Sequence, residues 1–442
     1  MEDLLEKIEN GRATVGVIGL GYVGLPLAAV FHRSGLKVRG YDVDERKVAM
    51  LSEGKSYIKH IGVDVLKDLS DSVRFQATTK LEDLLGVDIY VMCLPTPLGA
   101  HEEPDMSYVF GTSELIAKQL TGNQLFVLES TTYPGATDSD VLRILTKGNQ
   151  LELGTDLFLA FSPERENPAG SGDEAVETSI IPKLVGGVDE SSGVLAAALY
   201  RCGGFKNVVK VKSARIAECS KLLENSFRVV NIALVNELKL VFEKMDVDIW
   251  EVLDAAETKP FGFKRFNPGP GVGGHCIPID PFYLTWKAKE VGQRSEFIEI
   301  SGRVNASMPS RIVDKVQLAL NDVGKAVKGS KVMLIGIAYK PNVDDCRESP
   351  ALKIWELLLD LQAAISYHDS FIPKVPKTRT HKRLEGVESV PVSEENLSQQ
   401  DAVVIVTDHD NIEYDIFQRV RCPVIDTRNR LRGLKGINVV LA

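Results

Sequence analysis

The stretch VGVIGLGYVGLPLAAVFHRSGLKVRGYD, residues 15–42, decides how the chain is read. Val15 to Ile18 is a short uncharged run of the kind a buried strand makes, Tyr22 to Ser34 has the apolar spacing of a helix, and Lys37 to Tyr41 returns as a second strand ending at Asp42. This is a βαβ unit. Gly19, Gly21 and Gly24 stand as G-x-G-x-x-G between the first strand and the helix, with Tyr22 and Val23 completing the turn. The first glycine permits the tight turn, the second lets the backbone approach a pyrophosphate, and the third allows close packing of helix on strand. The helix start adds N–H groups and a favourable dipole for the phosphates. A purely structural glycine turn is the competing reading; strand, helix and acidic residue together favour a dinucleotide. Asp42 is placed to accept from ribose hydroxyls and to repel a 2′-phosphate, which favours NAD over NADP, although Arg46 and Lys47 would soften that repulsion.

Further apolar runs follow: IYVMCLP (89–95), LFVLEST (125–131) and LFLAFSPE (157–164). Each stops at polar or proline-bearing residues, as strands of a parallel sheet do at their carboxyl ends, where ligands collect. Pro95, Thr96, Thr131, Glu164 and Arg165 lie at such ends. From Ser213 to about Met245 there is no glycine or proline, which predicts a helix of roughly 50 Å. Its apolar residues occupy several faces, so burial on several faces is expected, joining two domains and two subunits. Lys221 and Asn225 stand four apart on it and share one face; they read either as a solvated surface or as polar groups that need partners in a buried helix.

A second βαβ pattern opens at KVMLIGIAYK (331–340), passes the polar loop NVDDCRES, continues as ALKIWELLLDL and returns as AAISYHD; DAVVIVTDHD (401–410) and PVIDTR (423–428) add strands. The expected class is α/β, with two Rossmann-like doubly wound domains joined by a long central helix and a helical core. The expected boundaries are 1–210 for the NAD-binding domain, 211–312 for the helical middle and 313–442 for the second Rossmann-like domain.

The chain has 442 residues, 44% hydrophobic and 26% charged, which excludes wholesale disorder. A net charge of −9 gives no electrostatic reason to expect nucleic acid or an anionic membrane. Residues 15–31 are uncharged, yet short for a membrane span and broken by glycines and a proline. The acidic start MEDLLEKIENGR has no apolar signal core, and the six cysteines form no CxxC pairs, so a reducing, cytoplasmic setting without disulfides or zinc is expected. A zinc alcohol dehydrogenase is disfavoured on the same ground.

GPGVGGHCIPIDP, residues 269–281, sets Cys276 on a glycine- and proline-rich backbone beside His275 and shortly before Asp280. A free cysteine is often a small buried hydrophobe. Here the glycines, Gly273 among them, leave room for a ligand to approach, and a thiolate served by N–H dipoles is a nucleophile. His275 is read as an acid or base, or as a side chain turned away.

Taken together these motifs resemble the nucleotide-sugar 6-dehydrogenases of the UDP-glucose/GDP-mannose dehydrogenase family. The resemblance runs through VGVIGLGYVGLPLA, LPTP (94–97), ESTTYPG (129–135), SPER (162–165), KLLENSFRVVNIALVNEL (221–238), TKPFGFKRFNPGPGVGGHCIPIDPFYLTWKA (258–288) and YKPNVDDCRESP (339–350). GGHCIPIDP is similar to the N-acetylhexosamine branch, and TKPFGF and PFYLTWKA to the UDP-N-acetylglucosamine 6-dehydrogenases. On this resemblance His275 becomes a marker of substrate class. It implies NAD as cofactor, a UDP-sugar substrate bound by the C-terminal domain, and a homodimer or higher homo-oligomer. It also implies roles: Cys276 as nucleophile, Lys221 and Asn225 as oxyanion stabilisers, Asp280 as the carboxylate positioning water or Lys221, and Thr131 and Glu164 holding and activating water. Glu164, Arg165, Lys221, Asn225, Phe261, Gly273 and Lys340 are implied to bind substrate. Gly19, Gly21, Tyr22, Val23, Gly24, Asp42, Lys47, Pro95, Thr96, Thr131 and Arg347 are implied to bind cofactor. One departure is Pro168, where UDP-glucose enzymes carry a second glutamate. A simple hydroxyacid or 6-phosphogluconate-type dehydrogenase shares the fold plan but has no use for a thiol, and a non-catalytic nucleotide-sugar sensor would have a broken catalytic set.

Overall fold

A computed structural model describes residues 1–58, 61–99, 101–165, 180–274 and 277–442. His275, Cys276 and Pro168 lie outside the described residues. The chain divides into two compact units, Met1–Glu224 with Phe282–Gln293, and Asn225–Pro281 with Arg294–Ala442.

The first unit is built on an eight-stranded sheet ordered β3-β2-β1-β4-β5-β6-β7-β8. Its strands are β1 (Thr14–Ile18), β2 (Lys37–Tyr41), β3 (Phe75–Thr78), β4 (Ile89–Met92), β5 (Gln124–Leu128), β6 (Leu157–Phe161), β7 (Lys183–Gly187) and β8 (Val208–Val211). The central strands β4, β5 and β6 are buried at every position, because helices cover both faces of a parallel sheet. Helix α1 (Gly24–Arg33) follows β1, and α2 (Glu190–Cys202) packs on β7 and its neighbours. The apolar sequence runs announce β1, β2, β4, β5 and β6. They do not announce β7, whose LVGG end has little strand character and which pairs antiparallel with β6, with Ala160 opposite Gly187 and Phe161 opposite Gly186.

Helix α3 (Ala214–Lys244) has 31 residues, as the absence of glycine and proline predicts. Its burial is one-sided within the chain: Leu222 is wholly buried, whereas Leu223 is 66% and Phe227 51% exposed. Burial on several faces, expected from the sequence, is therefore not reached within one chain. Helix α4 (Asp280–Glu290) follows the glycine loop.

The second unit holds a five-stranded, wholly parallel sheet ordered β10-β9-β11-β12-β13. Its strands are β9 (Lys331–Ile335), β10 (Ala364–His368), β11 (Ala402–Ile405), β12 (Val424–Asp426) and β13 (Val439–Leu441). Helix α5 (Glu296–Asp322) precedes β9, and α6 (Pro350–Asp360), capped by the Ser349 side chain, joins β9 to β10. The molecule is thus an α/β protein with a large parallel-rich sheet and a second parallel sheet, both Rossmann-like.

Candidate active site

In the first unit, the glycine turn after β1 has the shape a dinucleotide needs. A Cβ on Gly24 would lie 1.8 Å from the Gly19 carbonyl oxygen, so only glycine lets α1 sit this close to β1. A Cβ on Gly21 would meet nothing within 4 Å, leaving the outer face of the turn open. No side chain caps α1 at Val23, which suits N–H groups meant for a phosphate. Asp42 is buried, and Oδ2 accepts from the Leu20 N–H and from Lys47 Nζ, each at 2.9 Å, while Oδ1 accepts from the Asp44 N–H at 2.9 Å. A carboxylate offers about four acceptor positions, so about one remains for a ribose hydroxyl. Lys47 is committed to Asp42, and Arg46 to Asp44 by two hydrogen bonds of 3.2 and 3.0 Å. Both basic groups are thus engaged by carboxylates, and the residues fit NAD.

At the ends of β4 and β5, the Ser130 hydroxyl accepts from the Leu94 N–H at 2.8 Å and ties the two strand ends together. Pro95 is exposed and Thr96 is buried; the Thr96 carbonyl accepts from the Tyr283 hydroxyl at 2.9 Å. Tyr283, fully buried on α4, therefore fixes the segment expected to meet the cofactor, and it was not singled out from sequence. Thr131 is half-buried just beyond β5.

Beyond β6, Glu164 is held through several atoms. Its Oε1 accepts from the Arg165 N–H at 2.8 Å, its Oε2 lies 3.4 Å from Lys183 Nζ, and its carbonyl accepts from Lys221 Nζ at 2.8 Å. The structure thus brings Lys221 and Glu164 together. Arg165 forms a two-pronged pair with Glu224, at 3.2 and 2.7 Å, and donates to the Pro182 carbonyl. Under these residues lies a buried network that sequence reasoning missed: Lys183 Nζ is 2.8 Å from Glu129 Oε2, and the Tyr200 hydroxyl donates to the other oxygen. The signal available was a single charge at the end of an apolar run, Glu129 after LFVL and Lys183 before LVGG. Burial alone would lower the proton affinity of Lys183, but Glu129 and Glu164 outweigh it and hold the ammonium protonated. Burial pushes the nearby Cys93 thiol up, so it stays protonated.

In the second unit, Asn225 donates to Asp280 Oδ2 at 2.6 Å, and Asp280 is 2% exposed. Asn225 is thus a partnered group and not a solvated one. The glycine loop before Cys276 is stitched to the loop after β9, the Gly274 N–H donating to the Arg347 carbonyl at 3.2 Å. Sequence reasoning expects its glycines to leave room for a ligand. The side-chain space of Gly273 is taken by the Glu348 carbonyl oxygen, 2.8 Å from an added Cβ, and that of Gly274 by the Tyr339 ring, also at 2.8 Å. On their Cβ side these two glycines admit neighbouring chain. Arg347 grips Asp345, with Nη2 2.7 Å from Oδ2 and Nε 3.0 Å from Oδ1. Lys340 Nζ lies 5.8 Å from the centre of the Tyr339 ring, and Phe261 is 70% exposed with Lys259 over its ring. Among the described residues no cluster of histidine, cysteine and carboxylates could hold a metal.

An NAD-shaped turn, buried carboxylates at strand ends and a lysine on a long helix define a nicotinamide-linked dehydrogenase class. Three family models match in order: the UDP-glucose/GDP-mannose dehydrogenase NAD binding domain over residues 13–202, the central domain over 215–307 and the UDP binding domain over 333–433. A UDP-N-acetyl-D-glucosamine 6-dehydrogenase from Pseudomonas aeruginosa is 36% identical over 81% of this chain and 83% of its own. A UDP-N-acetyl-D-mannosamine dehydrogenase from Pyrococcus horikoshii is 35% identical over 89% of each chain. A solved UDP-D-ManNAc dehydrogenase structure, also from Pyrococcus horikoshii, superposes with a TM-score of 0.85 at 32% identity, covering 96% of this chain and 98% of that one. The chain belongs to the UDP-glucose/GDP-mannose dehydrogenase family. It is an NAD-dependent UDP-sugar dehydrogenase. No described helix is long and apolar enough to cross a membrane.

Proposed function

We propose that the substrate is UDP-N-acetylglucosamine and that C6 is oxidised twice, to the uronate, through an acyl-enzyme on Cys276. The reading is carried by the way the two polar residues of α3 are tied, Lys221 to the Glu164 main chain and Asn225 to Asp280. Substrate choice is supported by the GGHCIPIDP, TKPFGF and PFYLTWKA motifs and by the Pseudomonas aeruginosa relative. We assign residues 1–210 to NAD binding, 211–312 to catalysis and dimerisation, and 313–442 to the UDP moiety.

In this reading, Lys221, or a water held by Asp280, takes the proton of the C6 hydroxyl. Bound NAD supplies the hydride acceptor, one cofactor for each of the two oxidations. The Cys276 thiolate adds to the C6 aldehyde, forming a C–S bond, and Lys221 and Asn225 stabilise the resulting oxyanion. After the second oxidation the carbon is a thioester. A water positioned by Thr131 attacks it, Glu164 takes the water proton, and the C–S bond breaks to return the thiolate. One sugar, one water and two NAD become one uronate, two NADH and three protons. Gly19, Gly21, Tyr22, Val23, Gly24, Asp42, Lys47, Pro95, Thr96, Thr131 and Arg347 hold the cofactor. Arg165, Phe261, Gly273 and Lys340 hold the sugar nucleotide with Glu164, Lys221 and Asn225. The cytoplasmic setting and a homodimer through α3 complete the reading, the latter supported by the exposed Leu223, Phe227, Leu234 and Val241.

Incubation with UDP-N-acetylglucosamine and its manno, galacto and glucose counterparts, with NADH counted per sugar, tests it. Two NADH per UDP-N-acetylglucosamine, with the other sugars slower, is expected. One NADH per sugar, or full conversion to uronate by Cys276→Ala, would overturn the acyl-enzyme.

A further inference from the structure

Strand β7 runs against β6, and that single reversal places a lysine beside the end of β6. Continued past Phe161, the register of Ala160 with Gly187 and Phe161 with Gly186 sets position 164 opposite position 183. The contact is observed: Lys183 Nζ lies 3.4 Å from Glu164 Oε2 and 2.8 Å from Glu129 Oε2. The lysine side chain is 5% exposed, Glu129 0% and Glu164 16%, so one ammonium is shared by two carboxylates out of water. Aromatic rings wall the ammonium, with the Tyr200 centroid at 5.0 Å and the Phe205 centroid at 5.5 Å. Among the described residues, the charged and titratable groups around Glu164 are Cys93 beyond β4, Glu129 beyond β5, Arg165 beside it, Lys183 on β7, Tyr200 on α2, and Lys221 and Glu224 on α3. A buried ion pair is weak as a stabiliser compared with apolar packing of the same volume, so the retained charges call for another use.

We infer that Lys183 is a positioning residue for Glu164, fixing its carboxylate in the ionised form that activates water, with Glu129 as the counter-charge that sets how strongly it does so. The inference rests on the hydrolytic role proposed for Glu164. Removing Lys183 takes the ammonium away from Glu164, so Glu164 keeps its proton to higher pH and loses its function as a base. Removing the charge of Glu129 leaves the ammonium to Glu164 alone, so Glu164 gives up its proton at lower pH. The two changes act in opposite directions, which a merely structural pair would not do.

The test follows the covalent adduct on the full-length enzyme by intact-protein mass after a single turnover with NAD and UDP-N-acetylglucosamine, as a function of pH. In Lys183→Met the acidic limb of adduct decay is expected to move up by about one to three pH units, slowing decay about tenfold or more at pH values on the acid side of the parent's limb. Lys183→Arg restores the limb, and Glu129→Gln moves it down. Glu129→Gln keeps Lys183 paired, so it carries the test even if Lys183→Met does not fold. An acidic limb unchanged in Glu129→Gln, or shifted up in it, overturns the inference. Glu164→Gln separates the two levels: stalled adduct in that variant with no shift in the others overturns this inference alone, whereas decay at the parent rate overturns the role of Glu164 and the inference with it.

Discussion

Lys239 is 6% exposed on α3, and burial first, then repulsion from Lys315, lowers its proton affinity to about 8 from an ordinary 10.5. Between those values the unfolded chain holds the proton and the folded chain has lost it. Stability of the second unit therefore rises as pH climbs from about 8 toward 10.5, and below pH 8 the full penalty, ~3 kcal/mol, is present. Lys239→Met keeps the apolar stem and removes the charge. It is expected to raise the thermal midpoint at pH 7 and to lose that advantage at pH 10, as measured by paired melts of variant and parent at both pH values. A variant less stable than the parent at pH 7 would show that the charge is compensated. At the same scale, the sequence motifs single out Asp42, Glu164, Lys221 and Asn225, and the structure gives each a partner. They pass over Glu129, Lys183 and Tyr283, because a lone charge or tyrosine at a strand or helix end carries no spacing pattern, and its use depends on a neighbour distant in sequence.

At the scale of elements, both units open with the same device. After β1, Gly19 turns with φ +90, and Asp42 at the end of β2 accepts from the Leu20 and Asp44 N–H groups. After β9, Gly336 turns with φ +76, and Asp369 accepts from the Ile337 and Phe371 N–H groups. The side-chain donor to the carboxylate differs: Lys47 in the first unit, and the fully buried His409, 3.0 Å from Asp369, in the second. The first site remains at an open glycine turn, while the second is closed by its own histidine under the Phe371 ring at 4.9 Å. Gly24→Ala is expected to push α1 off β1, since the added methyl would overlap the Gly19 carbonyl. NAD affinity in an equilibrium titration should fall at least tenfold, with a destabilisation of about 1–3 kcal/mol from overpacking. Unchanged NAD affinity would mean that the turn is not what positions the cofactor.

For the whole molecule, α3 presents an unburied apolar stripe, with Leu234 49% and Val241 47% exposed beside the more exposed Leu223. Water contact on such a row is unfavourable, at roughly 25 cal/mol per Å² of apolar surface. Leu234→Glu is expected to lower the mass seen by light scattering from dimer to monomer at micromolar concentration. A parent protein that is already monomeric there would remove α3 as a dimer interface. By itself, the sequence determined the two βαβ openings, the dinucleotide turn, the uninterrupted long helix and the family motifs that name the chemistry, because these are local patterns of period, glycine placement and residue order. Only the tertiary structure decided the direction of β7, the filling of the glycine loop by Tyr339 and Glu348, and the meeting of Glu129, Lys183 and Glu164. Strand direction and register follow from which surfaces are buried together, and residues 19 and 54 apart in sequence are joined only when that burial is complete.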